Sequence, residues 1–296
     1  MTNASDDTVS VIDTRTNQVV GSPINVGDGP VAVAEDAPRR RAYVTNQNDD
    51  TVTVIDTRTD QVIGSPINVG DNPVAVAVDQ PRARAYVTNA NDDTVTVINT
   101  RTNQVIGSPI NVGDNPFAVA VDQPRARAYV ANADAGTVSV IDTRTNQVIG
   151  SPINVGGTTL FAVAVDQPRA RAYVTNFNND TVSVINTTTN QVIGSPINVG
   201  DGPIGVAVDQ PRARAYVTNF NDDTVSVINT TTNQVIGSPI NVGDGPYGVA
   251  VDQPRARAYV ANFSAGTVSA INTLTNQVIG TPITVGNNPI GVAIVG

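Results

Sequence analysis

Aspartate is the residue type in this sequence with the greatest capacity for chemistry, and it recurs in pairs at a fixed spacing. Pairs such as Asp92-Asp93 and Asp222-Asp223 belong to a pattern that returns about every 43 residues. Paired carboxylates could act as general acid and base, or could contribute oxygens to a calcium ion, which binds six to eight of them. The sequence has no histidine and no cysteine. The commonest general base and all thiol chemistry are therefore excluded.

Turn formation is a second interpretation of the same aspartates. Aspartate side chains stabilise tight turns and tolerate left-handed backbone. Two copies of the pattern carry Gly136 and Gly266 where the others have the second aspartate. Glycine is the residue that a positive φ favours, whereas a calcium site would lose a ligand there. We therefore predict that these aspartates form turns, with no catalytic residue, no bound metal and no cofactor, while calcium in the intact loops stays open.

A repeat of about 43 residues, present seven times, supplies the elements that position these turns. The segment VDQPRARAYV is unchanged at 78–87, 121–130, 165–174, 208–217 and 251–260. Within one copy, four short apolar or alternating runs separated by turn residues predict four strands, with a continuous fourth strand over 104–112. Pro109 cannot donate to a ladder, so this fourth strand should be an edge. The sequence predicts an all-β, seven-bladed β-propeller of four-stranded antiparallel blades, in a single domain over 1–296.

The closing blade is predicted to combine both termini and to lack most of its second strand. Met1-Thr2-Asn3 aligns with the end of a second strand, and residues 290–294 align with a first strand. Two interpretations stay open. A longer parent chain could supply the strand, or a partner segment could enter the blade by β-addition.

Two positions of the repeat diverge while the rest stays nearly constant. One opens the first strand of each blade, and the other follows the second strand. The aromatic residues at these positions are Phe117, Phe161, Phe177, Phe220, Tyr247 and Phe263. We hypothesise that they form a ligand-binding aromatic crescent around one mouth of the channel. The alternative is that the rings fill gaps between blades, with changes such as Ala162 to Gly205 making room for them.

Charge is distributed unevenly between the two faces that a meander of strands creates. The face at the starts of the first and third strands, which we call the top face, carries fifteen aspartates and no arginine. The bottom face carries all 17 arginines. The arginines of the Pro-Arg-Ala-Arg segments are predicted to be structural and to form exposed ion pairs. Because the chain has a net charge of −9, nucleic acid is not an expected partner.

The recurring Tyr-Val-Thr/Ala-Asn at 43, 86, 129, 173, 216 and 259, with Val-Ile-Asp/Asn-Thr downstream, resembles the YVTN family of β-propeller repeat proteins. The resemblance covers the whole chain. It implies a seven-bladed propeller, often secreted or surface-associated in prokaryotes, and it brings no catalytic residue. Related propeller enzymes such as lactonases and streptogramin lyases rely on histidine or glutamate, and this chain has Glu35 as its sole glutamate.

The function predicted from these observations is that of a non-catalytic binding or scaffold propeller, not an enzyme. A protein or other ligand is expected at the acidic top face. The alternatives are a structural repeat module of a cell-surface protein and, less favoured, a propeller enzyme of the lactonase or lyase type. The chain is expected to be a monomer, without membrane insertion, and to be extracellular, at the cell surface or periplasmic, although the sequence shows no signal peptide.

Overall fold

Each repeat folds into one antiparallel sheet, and the seven sheets contact one another around a ring. The computed structural model describes residues 1–295. We number the sheets as blades 1 to 7 in the order of their first strands, and call the strands a to d. Neighbouring blades contact each other through strand a, which places strand a innermost. The predicted all-β fold, a seven-bladed propeller, is confirmed.

The strands have nearly the same bounds in every repeat. Strand a covers Pro30–Asp36, Pro73–Asp79, Pro116–Asp122, Leu160–Asp166, Pro203–Asp209 and Pro246–Asp252. Strand b covers Thr2–Asn3 in blade 7 and Arg41–Asn46, Arg84–Asn89, Arg127–Asn132, Arg171–Asn176, Arg214–Asn219 and Arg257–Asn262 elsewhere. Strand c covers Thr8–Asp13 in blade 7 and Thr51–Asp56, Thr94–Asn99, Thr137–Asp142, Thr181–Asn186, Thr224–Asn229 and Thr267–Asn272 elsewhere. Within residues 1–295, three short 3-10 helices cover Ala37–Arg39, Gln80–Arg82 and Phe177–Asn179.

Strand d lies at the outer edge of each sheet, as predicted, but in six blades it is not continuous. Its pieces are Gln61–Val62 and Ile67–Asn68, Gln104–Val105 and Ile110–Asn111, Gln147–Val148 and Ile153–Asn154, Gln191–Val192 and Ile197–Asn198, Gln234–Val235 and Ile240–Asn241, and Gln277–Val278 and Ile283–Thr284. The continuous strand predicted over 104–112 is wrong, because only Gln104–Val105 and Ile110–Asn111 pair with strand c. Only blade 7 keeps an unbroken strand d among the described residues, Gln18–Asn25.

The hydrophobic core lies between neighbouring blades. A buried tyrosine from strand b of one blade packs with aliphatic side chains of the next, as Tyr43 does with Val76 and Ile98. The tyrosine hydroxyl donates a hydrogen bond to an asparagine in the next blade's c–d turn, such as Tyr86 Oη to Asn146 Oδ1 at 2.9 Å. The arginine two residues earlier donates to the same oxygen. We call this arrangement the inter-blade clasp, and it joins blades 1 to 7 in succession.

The first arginine of each Pro-Arg-Ala-Arg segment is structural, as predicted, but its ion pair is not exposed. Arg82 Nη1 lies 3.1 Å from Asp79 Oδ2, and the Asp79 side chain has no exposed surface. The same arginine donates to the backbone carbonyl of Gln123 in the next blade. The aspartate is buried because it ends strand a under the a–b turn. These pairs therefore contribute to contact between blades.

Blade 7 combines the two ends of the described chain. Its sheet contains strands b, c and d from the N-terminal residues. The C-terminal segment pairs with the short strand b, since Thr2 N–H donates to Gly291 O at 3.0 Å and Ile290 N–H donates to Thr2 O at 3.1 Å. Strand b has only two residues in this blade. The prediction that the closing blade is shared by both termini and lacks most of its second strand is therefore confirmed.

Candidate functional site

Two elements on the top face position the six predicted aromatic residues. Phe117, Phe161 and Tyr247 are the second residues of strand a in blades 3, 4 and 6. Phe177, Phe220 and Phe263 directly follow strand b in blades 4, 5 and 6. Strand a lies beside the channel, and strand b ends at the top, so both sets point toward the same mouth.

The structure brings all six side chains into one contact network, which we call the aromatic cluster. Ring centroids are 4.9 Å apart for Phe117 and Phe161, and 5.1 Å apart for Phe161 and Phe177. Tyr247 lies 6.3 Å from Phe220 and 6.0 Å from Phe263. The two halves join through Phe161 and Tyr247, 6.5 Å apart and edge to face. These separations are within the range in which aromatic pairs attract one another.

Phe161 and Tyr247 are the centres of the network, because each contacts three other rings. They belong to blades 4 and 6, so their contact extends past blade 5. The residue of blade 5 at the same position, Ile204, is only 5 % exposed. The arrangement is therefore a cluster that reaches inward across the ring of blades, and it differs from the open crescent that the sequence predicts.

The aromatic cluster is half-buried. All six side chains have intermediate exposure. Burial raises the pKa of the Tyr247 hydroxyl to about 12. Within residues 1–295 the structure gives this hydroxyl no hydrogen-bond partner. Tyr247 is thus a neutral hydrogen-bond donor and acceptor at one centre of the aromatic cluster.

Glycines in the linkers between blades hold two of the rings. A Cβ added to Gly202 would lie 3.0 Å from a ring carbon of Phe177, and one added to Gly245 would lie 3.2 Å from Phe220. Glycine is required at Gly205 for a different reason. A Cβ there would meet the backbone carbonyl of Tyr247 and not its ring. The part of the gap-filling alternative in which the change from Ala162 to Gly205 makes room for a ring is therefore wrong, since that glycine permits close approach of the next strand a.

The acidic turns around the cluster join adjacent blades. Asp180 Oδ1 accepts a hydrogen bond from Gly202 N–H at 3.0 Å, and Asp222 Oδ2 accepts one from Asp201 N–H at 2.8 Å. The second aspartate of each pair is in left-handed conformation, as Asp93 is with a φ of +55°. Gly136 has a φ of +61° at the equivalent position. The turn role predicted for these aspartates is confirmed by this geometry.

The longer linker between blades 3 and 4 changes the entry to the strand that carries Phe161. Thr159 has a φ of +64°, and its N–H donates to Ala133 O at 3.1 Å. Leu160 replaces the proline that opens strand a in the other blades and is fully buried. This linker anchors the strand beside the centre of the aromatic cluster.

A second concave region lies on the bottom half of blade 7, the blade in which the sequence predicts an incomplete second strand. A cleft of about 400 Å³ is lined by Val11, Ile12, Asp60, Tyr259 and Ile294, among others. It occupies the position that the remainder of strand b fills in the other blades. The candidate signal in the sequence is Asp60, because the other six repeats have asparagine at this turn position.

Residues 1–295 contain no group of three or more acidic, histidine or cysteine side chains placed to hold a metal ion. None of the helices in that part of the chain has the length and apolar character needed to cross a membrane.

Comparisons with known proteins identify similar folds but no family. No family model matches the sequence, and no curated protein matches it. Among solved structures, the chain is similar to a functionally unknown protein from Desulfotomaculum acetoxidans DSM 771, with a TM-score of 0.83 and 15 % identity over 98 % of this chain and 96 % of that chain. It is also similar to Kuenenia stuttgartiensis hydrazine synthase, with a TM-score of 0.59 and 18 % identity over 82 % of this chain and 95 % of that chain. At these identities the likeness shows a shared propeller fold alone.

Proposed function

We propose that this propeller is a non-catalytic binding module whose partner contacts the aromatic cluster. The observation that carries the proposal is that all six residues occupy the divergent positions of the repeat and also contact one another. The fold does not require rings there, since the same positions hold Val74 and Ala90 in other blades. Partly exposed aromatic side chains with a few polar groups are typical of ligand sites.

The chemistry of the partner follows from the charge around the cluster. Asp201 and Asp244 are exposed in the linkers that lead into blades 5 and 6. Arginine is absent from the top face, so no cation of this chain neutralises them there. A partner that presents basic side chains next to an apolar or aromatic group would complement both features, and its association would be faster at low salt.

We also propose that the chain is not an enzyme. The aspartates nearest the cluster already accept backbone hydrogen bonds that hold adjacent blades together. Their repeated, ring-symmetric environments are a poor basis for the two different pKa values that acid–base catalysis needs. The alternatives of a structural surface module and of a lactonase-type or lyase-type enzyme would each leave the cluster without a partner-binding role.

We also propose membership of the YVTN family and a surface or secreted location. The support is the motif itself, because its tyrosine forms the inter-blade clasp and its asparagine has the same contacts in each blade. Asn89 Nδ2, for example, donates to Thr94 Oγ1 and Thr96 Oγ1. A repeat with these contacts in every copy is what a propeller family defined by this motif would preserve.

Selection from a random displayed-peptide library would test the binding function. The target is the whole chain, with a Phe161→Leu, Tyr247→Leu variant as the counter-target. Leucine keeps most of the apolar volume at the two centres of the cluster but removes the rings. Both proteins must first show the same melting temperature.

The proposal expects peptides that combine basic and aromatic residues, enriched on the wild type and about tenfold weaker on the variant, because several ring contacts are lost. An Asp201→Asn, Asp244→Asn variant should reduce the salt dependence of binding. Equal enrichment on wild type and on the leucine variant, with equal stability, would overturn the proposal.

A further inference from the structure

The turn between strands c and d of blade 6 carries an exposed apolar side chain on the bottom face. Leu274 is 64 % exposed, the highest value for a large hydrophobic side chain within residues 1–295. Its N–H donates to Asn272 Oδ1 at 2.8 Å, and the same hydrogen bond forms in the other blades. The residues at this position in those blades are all polar: Arg15, Arg58, Arg101, Arg144, Thr188 and Thr231. The turn therefore does not require leucine, and Leu274 is a further position at which the repeat diverges.

An arginine of the inter-blade clasp lies beside Leu274. Arg214 Nη1 donates to Thr273 O at 2.6 Å and to Asn276 Oδ1 at 2.9 Å, so its guanidinium contacts the turn that carries the leucine. Arg214 is partly exposed. Its Nη2 and Nε groups have no acceptor within residues 1–295 and remain available for a partner. We call Leu274 and Arg214 the bottom patch, because a cation with free donors there adjoins an exposed apolar side chain.

The clasp arginines give the whole bottom face a positive charge. Each donates to neutral carbonyl and asparagine oxygens, and no carboxylate of residues 1–295 forms an ion pair with one of them. The six are Arg41, Arg84, Arg127, Arg171, Arg214 and Arg257. The bottom face holds all 17 arginines against eleven of the 26 acidic residues, which leaves an excess of six positive charges.

The top face has the opposite charge. All fifteen of its aspartates are exposed, and it has no arginine. Asp201 and Asp244 lie in the linkers next to the aromatic cluster. The top face therefore places carboxylates beside partly exposed rings, whereas the bottom patch places a guanidinium beside a leucine. The two surfaces complement each other in both charge and apolar contact.

We propose that the partner at the aromatic cluster is a second copy of this chain, which docks head to tail through its bottom patch. Leu274 of the second copy contacts the rings of Phe161 and Tyr247, and its Arg214 pairs with Asp201 or Asp244. This inference rests on the proposed function, because it names the partner of the same site, and it replaces the monomer expected from the sequence. The contact joins two different surfaces, so each added copy presents a further top or bottom face and the stack stays open-ended.

The salt dependence of association follows from the charges of the two faces. Each copy has a net charge of −9, so two copies repel each other at long range. In about 0.15 M salt the Debye length is about 8 Å, and the charges on the facing surfaces decide the interaction. In sedimentation velocity experiments on the whole chain, the weight-average mass should rise with concentration under these conditions. The dissociation constant should increase about tenfold in about 0.5 M salt.

Substitutions at exposed or conserved-volume positions test the two surfaces. Leu274→Thr gives the residue that blades 4 and 5 carry and should weaken association about tenfold through loss of apolar contact. The Phe161→Leu, Tyr247→Leu variant should weaken association to a similar degree. Val105→Thr is the matched control, since it removes a 42 % exposed apolar side chain at the outer edge of blade 2. It should leave association unchanged.

Two double variants of equal net charge separate surface complementarity from overall charge. Asp201→Asn, Asp244→Asn removes two negative charges from the docking area of the top face and should weaken association. Asp56→Asn, Asp142→Asn removes two from the bottom face, at a position where blades 2, 4, 5 and 6 carry asparagine. This second variant should not weaken association. Equal effects of the two variants would overturn the inference.

Mixing two blocked variants identifies the head-to-tail arrangement. Leu274→Asp places a negative charge on the bottom patch, and Asp201→Arg, Asp244→Arg places positive charges on the top face. Each variant alone should be a monomer with the wild-type melting temperature. An equimolar mixture should form dimers and nothing larger, because one intact top face and one intact bottom face remain.

A wild type that is monomeric at about 1 mM in low salt would overturn the inference. Association that Leu274→Thr leaves unchanged, or a mixture of blocked variants that stays monomeric, would also overturn it. Peptides enriched on the aromatic cluster alongside such a result would support the proposed function without self-association. Failure of this inference and failure of the proposed function are therefore distinguishable.

Discussion

Stability of the chain that begins at Met1 should depend strongly on pH between about 5 and 8. Burial lowers the pKa of the Met1 α-amino group from 8.0 to about 5. The chain has no histidine, so no side chain has an ordinary pKa in this interval. The pH dependence of folding in this range therefore reports on one group.

The direction in which stability changes with pH follows from the number of protons bound in the folded and unfolded states. Between pH 5 and pH 8 the unfolded chain holds a proton on the α-amino group and the folded chain does not. Stability therefore rises with pH across this interval, falls as pH decreases from 8 toward 5, and stops changing from this cause below the folded pKa. Because each pH unit corresponds to 1.36 kcal/mol, the full effect is about 4 kcal/mol.

Urea unfolding followed by tyrosine fluorescence at several pH values would measure this effect. The matched control is the same chain with an acetylated N-terminus, which has no titrating amine and places its acetyl group in the cleft. Its free energy of unfolding should vary by less than about 1 kcal/mol over the interval. A flat profile for the unmodified chain, or equal slopes for the two chains, would refute the reasoning.

Three substitutions test other parts of the structure, each by urea unfolding. Phe220→Ala should cost about 2 kcal/mol, below the 3–5 kcal/mol of a fully buried ring because the side chain is half-exposed; a cost below 0.5 kcal/mol would contradict its packing in the cluster. Asp93→Gly should change the free energy of unfolding by less than about 1 kcal/mol. Glycine adopts the positive φ at this position without steric cost, which offsets the lost hydrogen bond from Asn115 N–H. Asp93→Val should destabilise the chain, because a β-branched side chain disfavours a positive φ. Tyr86→Phe should lower the free energy of unfolding by about 1.5 kcal/mol through loss of the hydrogen bond to Asn146. An unchanged free energy of unfolding would show that this hydrogen bond of the clasp does not contribute to stability.

Much of the fold could be predicted from the sequence because the same pattern of apolar, turn-forming and proline residues occurs seven times. The period, the apolar strands and Pro109 determine the blade and its outer edge. The glycines at 136 and 266 even reveal the sign of φ at Asp93. The break in strand d could not be predicted from these residues alone, because the same Gly-Ser-Pro segment lies in the unbroken strand d of blade 7.

The candidate site was predictable in its residues but not in its geometry. Divergent positions within a repeat can be read directly, and they identify all six aromatic side chains. Whether Phe161 contacts Tyr247 depends on the distance between blades 4 and 6 across blade 5, and the sequence does not give that distance. The same limit applies to Asp60. Its difference from asparagine is visible in the sequence, but the strand that it faces is known only once the blades are in order.

Two departures from sevenfold symmetry, the aromatic cluster and the cleft in blade 7, lie on opposite faces of the propeller. The aromatic cluster belongs to blades 3 to 6 on the top face, while the cleft lies between blades 7 and 1 near the bottom. Each departure changes a position whose role in the other repeats is simple packing or a clasp between blades. Because stability is shared among nearly identical interfaces, one set of positions can carry partly exposed aromatic side chains without loss of the propeller as a whole. Repetition thus leaves a few positions free to diverge, and our proposal assigns binding to the divergent positions that carry aromatic side chains.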